Sequence, residues 1–431
     1  MLRKKILTAL LLIALVGVSL FAQGTAENTS SEKKVSIWSF NLSTDALTVV
    51  QNEIIPKYEA MNPGVSVEWQ NIPYTGYREK LLTAAAGDSL PDIFIDGYNM
   101  LGTYYGAGII ADLSEETANW SRWNEIDSSL TDLTYYNGKC FGLPFRTKVY
   151  PVLINTEIFK ECGLDPDDPP TTWSEALECG EKILKVENGV VVRQGISGFR
   201  TTSSFARGFD LFCQQDGGQF LDEDGNPAFN DECGYNALDF LVKVYRLQAP
   251  EGVAPLDESS QDAFVAGKAG IAIMGSYDAV QTALQTGNTE MAKFAKVIAP
   301  LKSDGANGKP VSFFDGDMMY VSQACDNKAE AWDFIEYFYE PETFMTYVEA
   351  NKVIPIYQSQ MDSEYMQSKP LLQGLMEMQK YGGKLAATPA YRSARSYLCD
   401  EIEKSIESGQ SYQKTLDTSE KLWLREIEDL K

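Results

Sequence analysis

The sequence predicts an α/β fold built on mostly parallel sheets, and three features predict it. The ordered chain opens as strand, helix, strand; the same alternation resumes further along; and loop-forming stretches around Asn137–Tyr150 and Ala299–Phe314 fall between such units. Alternating strands and helices imply a parallel sheet covered on both faces, with ligands approaching the carboxyl ends of its strands. The two loop-rich stretches are candidate crossings between two lobes.

Taken in order, Val35, Ile37 and Trp38 give a short first strand. Asp45 is placed to cap an amphipathic helix whose apolar face carries Leu47, Val50, Ile54, Tyr58 and Met61. Pro56 falls inside that pattern and predicts a kink or a shortened helix, because proline lacks the backbone donor. The helix stops at Asn62-Pro63-Gly64, and Val65, Val67 and Trp69 alternate as a second strand. A helical run from Tyr77 to Ala86 follows, and Leu90–Gly97 is a proline-started apolar strand ending in Asp96 and Gly97. Further helices are predicted over Trp173–Val186, Glu232–Tyr245, Ala329–Tyr339 and Ser405–Ile427, the last with a break. Short strands are predicted over Val152–Ile154, Ala269–Met274 and Met318–Val321.

The N-terminus carries an address. Arg3, Lys4 and Lys5 precede an apolar run from Ile6 to Val16, with small residues Gly17 and Ser19 beyond, the layout of a secretory signal peptide. Cleavage after Ala22 or Ala26 fits. Residues 1–22 are therefore assigned to a signal peptide and 23–34, polar and without period, to a flexible lead-in. A permanent anchor is the weaker reading, because the run barely reaches the minimum bilayer span of about 17 residues. No cysteine precedes Cys140, so the lipid-modified cysteine of a lipoprotein is excluded. A free periplasmic or otherwise extracytoplasmic product is expected.

Composition removes several classes of function. The formal charge of −24 repels phosphate backbones, so no nucleic acid is expected as a partner. The seven cysteines are scattered without a Cys-x-x-Cys pair, which suggests buried small side chains and no zinc site, with one or two disulfides allowed in an oxidising compartment. The chain has no histidine, which removes the commonest general base, the serine and cysteine triads, and imidazole metal ligands. A carboxylate pair of the glycosidase kind survives that argument. No cofactor is expected.

Nine segments in order resemble the family of ABC-importer extracellular solute-binding proteins that includes the maltodextrin and multiple-sugar binders. They are Val35–Phe40 (VSIWSF), Asn62–Trp69 (NPGVSVEW), Leu90–Gly97 (LPDIFIDG), Asn137–Arg146 (NGKCFGLPFR), Ile154–Pro166, Pro169–Leu177, Phe220–Asn230, Ala263–Asp278 (AFVAGKAGIAIMGSYD) and Ala331–Glu342. The resemblance covers nearly the whole mature chain. It implies a two-lobed periplasmic-binding-protein fold of type II, hinge closure over a ligand, and delivery to membrane permease subunits by a monomer. Lobe 1 is expected over 35–146 plus about 307–350, and lobe 2 over 147–306 plus about 351–431 with the C-terminal helices. Many relatives carry tryptophan where this chain has Tyr277, so a stacking ring is retained in altered form.

A neutral polyhydroxylated ligand needs flat apolar surfaces together with carboxylates, amides and guanidinium groups. Strand ends supply the candidates. Trp38 and Phe40 line either cleft or core; Asp96 and Asn99 contact ligand or serve as a cap or turn; Tyr74 is a contact or an ordinary surface aromatic. At the first crossing stand Arg146 and Tyr150, with an interlobe ion pair as the alternative role of Arg146. The resemblance makes Tyr277 and Asp278 the leading pair, and Asp315, Phe205 and Arg392 complete the set. No catalytic residue and no metal ligand is proposed. Asp222–Asn226 imitates a calcium loop, but Pro227 occupies the turn glycine position, so a hairpin turn is expected. The aromatic run Trp332–Tyr339 has helical spacing and is expected in the core.

The reading that follows is a carbohydrate-binding module without catalysis. Its alternatives are a binder of a polyol, a glycerol-phosphate compound or a polyamine, and, in a different class, a secreted glycosidase using two carboxylates.

Overall fold

Strand β1 (Lys33–Ser39) buries Val35, Ile37 and Ser39 at alternate positions. It pairs in parallel with β2 (Val65–Asn71) on one side and β3 (Ile93–Gly97) on the other. The computed structural model describes residues 33–199, 201–259, 261–273, 276–285, 290–384 and 388–430, so the leader and residues 23–32 lie outside the described residues. The β1–β2 connection is one continuous helix in three pieces: Thr44–Val49, a π-helical Val50–Ile54, and Ile55–Met61. Ser43, not Asp45, caps it, accepting from the Ala46 N–H. Pro56 neither ends the helix nor cuts it short. It sits in the first turn of the last piece, directly after the π turns, where the regular ladder is already interrupted and its missing donor leaves no gap.

Strands β4 (Tyr135–Tyr136) and β5 (Lys139–Cys140) form a hairpin on this lobe, turned by Asn137 and Gly138, both at positive φ. Strand β6 (Leu143–Val149) then carries the chain out of the first lobe. The second lobe holds β7 (Val152–Asn155), β8 (Lys185–Glu187), β9 (Val190–Ser197), β10 (Ala269–Ala272) and β11 (Ala295–Ile298), in the order β11-β7-β10-β9-β8. In this sheet β9 and β10 are parallel, whereas β7, entering directly from the crossing, runs against both β10 and β11. The helix expected over Trp173–Val186 ends at Ile183, because Asn188-Gly189 turns the following residues into the β8–β9 hairpin.

The chain returns along β12 (Ser312–Val321), antiparallel to both β3 and β6, and β13 (Gly382–Lys384) adds in parallel at its far side. The first stretch expected as a loop carries strand β6, whereas of the second, Ala299–Phe314, only Ser312–Phe314 joins β12 and the rest is loop; β6 and β12 lie side by side, bonded from Phe314–Val149 to Met319–Leu143, with a register shift at Asp317/Met318. A long ribbon here satisfies backbone groups that a buried loop would leave without partners. Ile356 and Tyr357 still bond to the first lobe, accepting from the Asp127 N–H at 3.0 Å and donating to the Tyr339 carbonyl respectively. By Gly374 the chain has reached Val297 of β11.

Two aromatic cores hold the lobes. In the first, Phe338 packs against Trp69, Phe145 and Tyr347, and Phe334, Phe338 and Tyr339 of the aromatic run are buried. In the second, Trp423 closes over Phe220 and Phe229. The C-terminal region is two helices, Tyr391–Ser408 and Tyr412–Asp429, broken at Gly409 with φ of 66°. The first lies on the helices Phe205–Gln215 and Glu232–Gln248 of the second lobe, and the second packs on Glu232–Gln248 and on the first. Asp222 accepts from the Asp224 and Asn226 N–H groups in a tight turn. All seven cysteines are free thiols, with Cys140, Cys213 and Cys399 buried. Among the described residues no helix is long and apolar enough to cross a membrane.

Helix Trp173–Ile183 packs on β9 through two glycines, with no room for a side chain: a Cβ at Gly195 would lie 2.2 Å from the Gly180 carbonyl oxygen. Gly195→Ala is expected to lower stability by roughly 3 kcal/mol through overpacking, read as a lower urea midpoint with an unchanged m-value.

Candidate functional site

The crossing strands bring their charged residues together by register, since Asp317 stands opposite Arg146. The Asp317 carboxylate accepts from Arg146 Nε at 2.6 Å and from Lys148 Nζ at 2.8 Å, while Arg146 Nη1 donates to the Asn41 carbonyl at 3.0 Å. Burial alone would raise the pKa of Asp317, but the two cations outweigh it and hold the group at about 2. Two residues earlier, Asp315 is equally enclosed with weaker compensation. Burial pushes its pKa up, against Lys148 and Arg207, and it accepts from the Gly316 N–H at 2.7 Å and the Tyr150 hydroxyl at 3.4 Å.

Around Asp315 the two lobes converge. Tyr98 follows β3, Tyr150 sits in the crossing, Arg207 and Asp210 belong to helix Phe205–Gln215, and Tyr391 opens the penultimate helix. The Arg207 guanidinium lies 5.0 Å from the Tyr150 ring centre. Tyr98 and Tyr391 are almost fully buried, and burial, reinforced by the fields of Asp315 and Asp210 among others, keeps the Tyr98 phenol protonated far above the ordinary tyrosine range. Buried phenols and carboxylates therefore meet between the lobes beside a half-buried guanidinium.

Two cavities flank this cluster. One, of ≈ 310 Å³, is bounded by Tyr74, Arg78, Glu79 and Asn99 from the first lobe and by Tyr391, Arg392 and Arg395 from the second. The other, of ≈ 780 Å³, has Tyr135, Tyr136 and Asn137 on one wall and Asp210, Gln214 and the turn at Asp222–Gly225 on the other. The lobes touch at the first cavity, where Arg392 Nη2 reaches Glu79 Oε1 at 3.0 Å.

The model of the bacterial extracellular solute-binding protein family matches residues 43–343. The chain belongs to that family. A binding protein of Brucella abortus is 21% identical over 357 residues, covering 81% of this chain and 82% of its own. The lactose-binding protein of Rhizobium radiobacter is 23% identical over 320 residues, covering 71% and 70%. Among solved structures, an ABC-transporter solute-binding protein of Thermotoga lettingae bound with α-D-tagatose superposes with a TM-score of 0.77 at 22% identity, over 92% of this chain and 100% of its own. The two-lobed fold of this solute-binding protein is the fold of those relatives.

The residues singled out from sequence are distributed unevenly in this frame. Tyr150 and Asp315 stand in the central cluster, and Tyr74, Asn99 and Arg392 line the smaller cavity. Arg146 pairs with Asp317 across the crossing ribbon, not between lobes. Asp96 is fully enclosed and committed to Arg78 (2.7 and 2.9 Å), the Gly97 N–H and the Tyr104 hydroxyl. Its acceptors are occupied within the first lobe, the cap-or-turn side of the expectation. Trp38 lies beneath Lys80, 4.1 Å from its ring centre, and lines neither cavity. Phe40 is buried among Tyr74, Tyr77 and the Arg146 guanidinium, and Phe205 packs on Phe199 and Tyr245 as core. Tyr277 and Asp278 open the helix Ser276–Gln285, and their side chains lie outside the described residues.

Sequence reasoning passed over Tyr98, Arg207, Asp210, Tyr391, Arg395 and Arg78. Tyr98 carries a usable signal, being adjacent to Asn99 at a strand end. The others sit on helices whose facing partners only the fold supplies.

Asp317→Asn leaves Arg146 and Lys148 buried around a neutral group, and is expected to cost roughly 3–5 kcal/mol at pH 7. The folded pKa lies below the unfolded value of 3.8, so the carboxylate's contribution is complete above about pH 4 and is lost as pH falls toward 2. Urea titrations between pH 2 and 7 should show wild type and variant converging at the acid end.

Proposed function

We propose that this protein is the extracytoplasmic binding component of an ABC importer, that it captures a carbohydrate between its lobes, and that it delivers this ligand to membrane permease subunits without catalysing a reaction. The observation that carries the reading is the gathering of Tyr98, Tyr150, Arg207, Asp210, Asp315 and Tyr391 into one largely buried cluster where the lobes meet, with Asp210 and Tyr391 reaching the two cavities that flank it. Sugar hydroxyls need both donors and acceptors, and sugar C–H faces need flat rings; this set offers all three. The relative named for lactose and the similar structure bound with α-D-tagatose support the same chemistry.

The energetic scale is adequate. Each net hydrogen bond contributes roughly 0.5–1.5 kcal/mol, more when one partner is charged, and each aromatic contact a similar amount. Several of each reach micromolar affinity, about −8 kcal/mol. Asp315 suits this role, since a carboxylate deprived of full compensation gains most from ligand hydroxyl donors. Tyr277 and Asp278, at the start of helix Ser276–Gln285, are proposed to add a stacking face and a polar contact. Closure pivots on the β6–β12 ribbon and brings Arg392 onto Glu79. The leader at 1–22 directs export, and the mature chain acts as a monomer.

Titration calorimetry against a panel of mono- and oligosaccharides, with tryptophan fluorescence and small-angle scattering, tests the reading. A saturable response with a smaller radius of gyration is expected, and Asp315→Asn should weaken binding about tenfold or more while leaving the protein at least as stable at neutral pH. The stability sign follows from the raised folded pKa of Asp315, which makes the carboxyl cost stability as pH rises above the unfolded value of 3.8. A response to amino acids or polyamines alone would exclude carbohydrate, and turnover of an oligosaccharide at catalytic protein concentration would replace binding by hydrolysis.

A further inference from the structure

The ≈ 310 Å³ cavity at the lobe junction differs from the rest of the molecule in charge. Its wall carries three arginines, Arg78, Arg392 and Arg395, against one carboxylate, Glu79, in a chain where 61 acidic residues outnumber 37 basic ones. The larger cavity across the central cluster is the reverse, with Asp210, Asp222, Glu223 and Asp224 facing a single Lys309. The cleft is therefore polarised from one mouth to the other.

We propose that the smaller cavity binds an anionic substituent of the ligand, a carboxylate or a phosphate, so that the transported carbohydrate is a uronate-bearing or phosphorylated one. This rests on the carbohydrate reading above and specifies its chemical class. Each arginine is held in place by a different neighbour. Arg78 donates through Nε and Nη2 to the buried Asp96, which fixes its plane, and Nη1 takes no part in those bonds. Arg392 is held by Glu79, a half-exposed pair that is screened by solvent and readily shared. Arg395 lies 5.9 Å from the Tyr391 ring centre, and among the described residues no carboxylate stands within ion-pair reach of it. Planar guanidinium groups bind carboxylate or phosphate oxygens through paired N–H donors, a fit that ammonium groups do not offer.

The neighbouring groups complete a sugar-anion site. Tyr74, with Arg78 at 5.7 Å from its ring centre, offers a half-exposed aromatic face, and Asn99 offers a nearly buried amide. The volume matches the lower end of small-ligand pockets, about 300 Å³, which suits one charged sugar unit whose remainder extends toward Tyr98 and Tyr391. Long-range repulsion from the acidic surface opposes an anion, so selection must come from these short contacts, and salt should weaken binding only moderately.

The test is calorimetric titration of the mature protein with a glucuronate-containing disaccharide, the neutral disaccharide of the same linkage, and a hexose phosphate, for wild type, Arg395→Gln, Arg392→Gln and Arg395→Lys. Wild type is expected to prefer one of the anionic ligands over the neutral one by about tenfold or more, and Arg395→Gln to remove most of that ratio. Arg395→Lys, which keeps the charge, should retain part of it, and thermal unfolding verifies that each variant folds. Preference for the phosphate over the uronate assigns the anion as phosphate. Equal or tighter binding of the neutral sugar, or an unchanged ratio in both glutamine variants, overturns the inference and leaves the carbohydrate reading intact. Absence of binding to every sugar defeats that reading itself.

Discussion

The structure depends on one buried carboxylate, Asp317, set between Arg146 and Lys148 where two crossing strands lie side by side. Those strands are two of the covalent links between the lobes, and their relative register sets which of their residues face the interlobe space. Slipping the pair by one residue would turn Asp315 and Tyr150 away from the interlobe space and strand two cations in the interior. The ion cluster thus works as a register lock for the ribbon between the lobes. Its neighbour Gly316 permits the close approach, since a Cβ there would lie 2.8 Å from the Arg146 carbonyl oxygen.

Burial and pairing divide the labour among the acidic residues. Asp317 and Asp96 are enclosed and fully compensated, so each stabilises the frame and has little left to offer a ligand. Asp315 is enclosed but less completely compensated, and its pKa rises accordingly. A ligand that donated to Asp315 as proposed would gain from a carboxylate already stripped of water, the general way a pre-organised site converts folding energy into affinity. The same reasoning separates the arginines: Arg146 is committed to the hinge, whereas Arg392 and Arg395 stand at the cavity wall.

Asp96-Gly97 and Asp315-Gly316 show why sequence legibility stops where it does. Both are aspartate-glycine pairs on apolar strands, and in both the aspartate accepts from the following glycine N–H at 2.7 Å. The sequence supports the same expectation for each. Their surroundings diverge because Arg78 and Tyr104 reach Asp96 from adjoining helices, while Asp315 has the Tyr150 hydroxyl at 3.4 Å and the fields of Lys148 and Arg207. Pairing of that sort depends on side chains far apart in the chain. Local signals fared differently: Tyr77–Ala86 is helical as its pattern predicts, and Asn188-Gly189 marks a hairpin that helical periodicity in the preceding residues conceals.

The sequence by itself determined the α/β alternation, the order of segments that marks the family, and the absence of imidazole chemistry, because these follow from periodicity, local order and composition. Only the tertiary structure decided that the crossings are a paired ribbon, that Asp96 and Arg146 are committed to the frame, and that Arg78, Arg392 and Arg395 share one cavity wall. Those outcomes are set by which helix is laid against which strand across the interlobe space, and no local stretch of chain contains that information.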